Sequence, residues 1–217
     1  MYVMEKRIRS ISISFLLILI ATLYTLLVKL IDVNNIGPNG SEVGFATLNN
    51  FVFNLTSENK IWYKITEILA IIPIFMVLVY GFIGLRELIK RKSLFKVDRE
   101  LLGLGVFYII ILAIYIFFEV VIINYRPVLM DGVLEASYPS SHTLLALCIC
   151  GSAILLNKKR FNEIKITKYI NIVLIITMVL LVIGRLLSGV HWFSDILGSI
   201  IISIALLYSY YVFLRLR

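Results

Sequence analysis

Apolar runs long enough to cross a hydrocarbon core recur along this chain, and they limit it to a membrane architecture. A core of roughly 30 Å takes about 20 helical residues. Six such spans can be read, near Ile11–Ile31, Ile65–Leu85, Leu101–Ile123, His142–Leu156, Ile170–Leu187 and Phe193–Leu214. The 217 residues are 60% hydrophobic and only 16% charged, too little charge to cover a water-facing surface. The expected fold is all-α: a polytopic protein with six transmembrane helices in a bundle, residues 1–217 forming one domain. The fourth span is short, and Lys158 and Lys159 could extend its inner end by snorkelling.

The formal net charge of +8 would suggest nucleic acid in a soluble chain. Here the basic residues sit in short segments between alternate spans. Lys6, Arg7 and Arg9 precede the first. Arg86, Lys90, Arg91, Lys92, Lys96 and Arg99 separate the second and third. Lys158, Lys159, Arg160, Lys165 and Lys168 separate the fourth and fifth, and Arg215 and Arg217 end the sequence. The positive-inside rule then places both termini in the cytoplasm and residues 32–64, 124–141 and 188–192 outside a cell membrane. The bilayer, not nucleic acid, is the expected partner.

The first apolar run is too long for a signal-peptide core and lacks a clear cleavage site, so it reads as a retained helix. In the first outer loop, Gly37-Pro38-Asn39-Gly40 predicts a turn, and Ala46–Leu55 a short helix that is either interfacial or a plain connector. Cys148 and Cys150 point to nearly opposite sides of one helix, which disfavours a mutual disulfide and leaves two buried, inert thiols.

Only two histidines occur, His142 in Pro139-Ser140-Ser141-His142 and His191 in Arg185-x5-His191-x3-Asp195. Two crossings separate them, so both lie at outer span ends. His191 and Asp195, at i and i+4, share a helix face, and an aspartate there can accept one imidazole proton while the other nitrogen reacts. Arg185 lies about 240° away around an unbroken helix, and Ser188-Gly189 supplies a break that could turn it back. Ser140 is placed to cap the fourth span, whose first amides then form an anion site. Arg126 precedes Pro127 and leaves the third span there. Two guanidiniums, a serine hydroxyl, helix-terminal amides and two imidazoles suit a phosphate monoester or diphosphate on a lipid. His142, His191 and Asp195 are also metal-ligand types, but two nearby arginines would repel a cation. Glu67 and Glu119 are charges in or near spans. Glu67 could face the outer interface or pair within the bundle.

These residues resemble the type 2 phosphatidic acid phosphatase family of integral membrane lipid phosphatases, whose active-site architecture is similar to that of vanadium haloperoxidases. The family pattern Lys-x6-Arg-Pro, Pro-Ser-Gly-His and Ser-Arg-x5-His-x3-Asp stands here as Glu119-x6-Arg126-Pro127, Pro139-Ser140-Ser141-His142 and Gly184-Arg185-x5-His191-x3-Asp195. The resemblance implies that His191 attacks phosphorus to give a phosphohistidine and that Asp195 orients and polarises it. It implies that His142 protonates the departing oxygen and then activates water. It assigns the phosphoryl oxygens to Arg126, Arg185, Ser140 and the amides near Ser141, with no metal or organic cofactor. Three positions depart from the pattern. Ser141 replaces a Gly at little cost, and Gly184 replaces a Ser and removes a hydroxyl. Glu119 replaces a Lys and changes the local charge by two units. Glu119 could pair with Arg126, and Lys60 or Lys64 could supply the missing cation.

The implied function is hydrolysis of a phosphorylated lipid at the outer face: an isoprenyl diphosphate, phosphatidic acid or phosphatidylglycerol phosphate. The alternatives are a lipid phosphotransferase with the same histidine chemistry and a non-catalytic lipid-phosphate binder or transporter.

Overall fold

The computed structural model describes residues 2–215; Arg217, counted above among the cytoplasmic basic residues, lies outside them. Eight α-helices follow in order: α1 Tyr2–Leu30, α2 Ala46–Thr56, α3 Lys60–Leu69, α4 Ile71–Arg91, α5 Arg99–Val120, α6 Ser141–Arg160, α7 Lys165–Leu187 and α8 Phe193–Arg215. Six helical stretches are long and apolar enough to cross a membrane, α3 and α4 counting together as Lys60–Arg91. The six expected spans are all present. Among the described residues there are isolated β-bridges but no strand.

The second span is longer than expected and is bent. Pro73 lacks an amide proton, so the carbonyl four residues earlier loses its helical partner and the ring crowds that turn. The chain breaks at Ala70, and α3 leans onto α7 while α4 packs on α6. This bend carries Trp62, Tyr63, Thr66 and Glu67 toward the end of α7.

α6 is the central helix, with 67% of its most apolar window buried against 11% for α1. That enclosure explains why the least hydropathic span holds Thr143, Ser152 and Asn157: its neighbours are protein, not lipid. Tyr80 on α4 donates to Asn157 Oδ1 at 2.5 Å, and Asn157 Nδ2 donates to Asn171 Oδ1 on α7 at 2.8 Å. Cys148 and Cys150 are free and buried, as expected. Apolar side chains such as Phe15, Ile109 and Ile176 cover the outside.

At the end of α6, Lys159, one of the two lysines expected to snorkel, is paired instead. Lys159 bonds Glu100 at 2.9 Å and the Leu214 carbonyl at 2.5 Å. Arg160 joins Glu87 at 2.8 Å and Asp98 at 3.0 Å, and Arg91 meets Asp98 at 2.7 Å. Arg91, Lys159 and Arg160 are therefore pinned by Glu87 on α4, Glu100 on α5 and Asp98 just before α5.

At the opposite end, α2 lies against α8. Asn49 is buried facing α8, whereas Leu48, Phe51 and Leu55 are exposed, so one turn-to-turn stripe of α2 is apolar and uncovered.

Candidate active site

The connection from α7 to α8 sets the first half of the site. α7 ends at Leu187, and Gly189 turns the chain with φ +65. A Cβ on Gly189 would stand 2.2 Å from the Ser57 carbonyl oxygen, because the α2–α3 turn presses on the loop; the Asn59 amide donates to the Ser188 carbonyl at 3.0 Å. Glycine satisfies both the positive φ and the close approach. The predicted break is therefore present.

His191 follows, 3% exposed. Its Nδ1 is 3.0 Å from the Ser137 carbonyl and 3.1 Å from Ser137 Oγ. A carbonyl only accepts, so Nδ1 carries the proton and Nε2 presents a lone pair. That Nε2 is buried without a hydrogen-bond partner and lines a small pocket with Tyr115, Glu119, Arg126, Pro139 and Ser141. Burial foremost, then the charges of Arg126 and Arg185 and the nearby His142, hold the His191 imidazole well below its ordinary pKa. Its neutral form is thereby favoured.

Asp195 was expected to hold His191 directly from i+4. Its recorded bonds go elsewhere: Ser137 Oγ donates to Oδ2 at 2.5 Å, the Trp192 amide to Oδ2 at 3.0 Å and Asn124 Nδ2 to Oδ1 at 3.0 Å. Ser137 joins the two residues because the α8 helix starts only at Phe193, so His191 is not on its regular turn. Ser137 and Asn124 are the residues the motif reading missed; both stand beside motif positions, but their pairing partners lie more than 50 residues away.

Arg185, 1% exposed, turns toward α3 and α6. Nη1 donates to Thr66 Oγ1 at 3.3 Å, Nη2 to His142 Nδ1 and to Glu67 Oε1 at 3.0 Å, and the guanidinium lies 5.2 Å from the Tyr63 ring centroid. Its Nε is buried and unpartnered. Since Arg185 can only donate, His142 Nδ1 accepts, and the His142 proton sits on Nε2, 3.2 Å from Glu67 Oε1. Glu67 thus pairs within the bundle. Gly184 explains the absent serine: a Cβ there would be 2.6 Å from Thr66 Cγ2. The α3 helix occupies that space and offers the Thr66 hydroxyl to Arg185.

Arg126 pairs with Glu135, Nε to Oε2 at 3.2 Å, and not with Glu119. That contact is an ion pair without a hydrogen bond, and both Nε and Nη1 are buried without one. Glu119 lines the same pocket as Arg126 and His191. Lys60 and Lys64 are exposed; what α3 brings to the site is the carboxylate of Glu67. Ser140 precedes α6 as expected, but its hydroxyl donates to Thr143 Oγ1 at 3.1 Å and makes no capping bond. Ser141 lines the pocket, beside the first α6 amides, which have no intrahelical carbonyl to bond. Among the described residues, no group of three His, Cys, Asp or Glu side chains is gathered as a metal ligand set.

Comparison with known proteins bears on the motif resemblance. Residues 122–217 match the PAP2 superfamily. The resemblance read from the motifs is thereby shown over the region that holds every motif residue except Glu119. The solved structures that resemble the chain include the crystal structure of the first transmembrane PAP2 type phosphatidylglycerolphosphate phosphatase from Bacillus subtilis. The two superpose with TM-score 0.56 at 19% identity, over 91% of this chain and 93% of that one; at that identity the likeness is one of fold. No curated protein sequence matches the chain. The PAP2 match and the six apolar helices make this a multi-pass membrane protein.

Proposed function

We propose that the chain is a lipid phosphatase working through a phosphohistidine at the outer face of a cell membrane. The observation that carries the reading is the lone pair on His191 Nε2, buried and unpartnered in a pocket shared with Arg126. Nε2 attacks phosphorus. Arg126, Arg185 and the first amides of α6 near Ser140 and Ser141 hold the phosphoryl oxygens, and Asp195 steadies the imidazole through Ser137. Once Arg185 turns to the phosphoryl oxygens, His142 Nδ1 is free to take a second proton; the imidazolium then gives its Nε2 proton to the departing oxygen, and the neutral ring later takes one from the hydrolytic water. The chemistry needs no metal or organic cofactor. The outer location rests on the basic segments lying at the opposite end of the spans. The substrate class is a phosphorylated membrane lipid, with isoprenyl diphosphate, phosphatidic acid and phosphatidylglycerol phosphate as the candidates.

The test is phosphate release from that panel by the purified protein and by His191→Ala. Loss on the order of a thousandfold or more is expected for the variant. Undiminished release by His191→Ala would remove the mechanism, and lipid binding with no release by the wild type would leave a binder. Label recovered on a second lipid, with no free phosphate, would make the protein a phosphotransferase.

A further inference from the structure

One carboxylate oxygen in the site holds two of the groups that the reaction uses. Glu67 Oε1 lies 3.0 Å from Arg185 Nη2 and 3.2 Å from His142 Nε2. Nδ1 faces Arg185, so the proton a departing oxygen would receive from the His142 imidazolium is the one on Nε2. Glu67 therefore marks the leaving-group end of the site. Its side chain is 42% exposed where that of Arg185 is 1% exposed, so the carboxylate stands at the mouth and the guanidinium behind it.

We propose that Glu67 selects lipid phosphate monoesters over lipid diphosphates, an inference that rests on the phosphatase reading. In a monoester, the P–N bond to His191 Nε2 forms as the P–O bond breaks. The electron pair goes to the ester oxygen, which takes the His142 proton and leaves as a neutral alcohol. In a diphosphate, attack at the terminal phosphorus expels a lipid monophosphate. That anion would separate beside the Glu67 carboxylate, and like charges at such range repel. The rest of the mouth does not offset this. Arg126 is held by Glu135 at 3.2 Å, Glu119 lines the same pocket, and Lys60 and Lys64 are exposed. In the phosphatase reading Arg126 and Arg185 hold the transferred phosphoryl group, not the departing one.

The experiment compares farnesyl phosphate with farnesyl diphosphate, identical in tail, on the purified full chain in one detergent. The wild type is expected to favour the monophosphate in kcat/KM. Glu67→Gln keeps an oxygen that can accept from Arg185 and His142 but removes the charge. It is expected to narrow the preference about fivefold, chiefly by raising the diphosphate value. Glu58→Gln, an exposed carboxylate of the α2–α3 turn, should leave the ratio unchanged. An unaltered ratio in Glu67→Gln, or a wild-type preference for the diphosphate, would overturn the proposal. Calorimetric binding of a farnesyl phosphonate against a farnesyl methylenebisphosphonate decides the same point without turnover. A protein that hydrolyses neither lipid but loses its discrimination in Glu67→Gln would refute the phosphatase reading and keep the selectivity.

Discussion

At the scale of single residues, His191 is the proposed reactive group and also a liability of folding. Its imidazole is buried and kept neutral by enclosure and by the fields of Arg126 and Arg185, whereas in the unfolded chain it takes up a proton near its ordinary pKa of about 6.5. A histidine whose folded pKa is depressed leaves stability untouched above the unfolded value and weakens it as pH falls below. Thermal unfolding from about pH 8 to about pH 5 should therefore show a smaller acid loss in His191→Gln than in the wild type; parallel curves would contradict it. Ser137 is the second residue to probe. Its hydroxyl donates to Asp195 Oδ2 at 2.5 Å, and a buried carboxylate left short of a donor costs about 1–3 kcal/mol. Ser137→Ala should lower kcat by about tenfold to a hundredfold, with KM little changed, in steady-state assays on the preferred lipid.

Among the elements, α3 decides what the site contains. The bend before Pro73 lets it lean on α7, and its Thr66 methyl fills the place a side chain at position 184 would need. Restoring the family serine with Gly184→Ser should therefore harm the protein. A forced contact in a packed helix pair costs about 1–3 kcal/mol, so a lower unfolding temperature in detergent and weaker turnover are expected. Equal or improved stability would show that α3 yields easily. The helices themselves were legible as hydropathy, and the Ser188-Gly189 break as turn chemistry. The lean of α3 was not, because Pro73 sits within an unbroken apolar run and reads as part of the span. Glu67 could be seen only as a charge in an odd place; its partners on α6 and α7 are set by that lean. Ser137 escaped for a similar reason, since a serine one residue before Tyr138-Pro139 carries no local sign that it will meet His191 and Asp195.

Over the whole molecule, charge is sorted by end. Arg91, Lys159 and Arg160 are clamped by Glu87, Asp98 and Glu100 at one end of the spans, and the two histidines lie at the other. A thiol-labelling experiment reads the orientation cleanly, because Cys148 and Cys150 are buried and give little background. Asp131→Cys, in the exposed loop after α5, should react with an impermeant reagent in intact cells. Glu163→Cys, exposed between α6 and α7, should react only after permeabilisation. The reverse pattern would place the catalytic end in the cytoplasm.

The buried asparagines also fix an order in time. Asn49 Nδ2 donates to Ser194 Oγ at 2.8 Å, its Oδ1 accepts the Ser194 amide at 3.0 Å, and Asn124 Nδ2 reaches Asp195 Oδ1 at 3.0 Å. Both asparagines are synthesised well before the α8 turn that they hold. The loop bearing His191 is held through partners that only the last helix supplies. A nascent chain stalled ahead of α8 would carry both histidines without the bonds that hold the His191 loop.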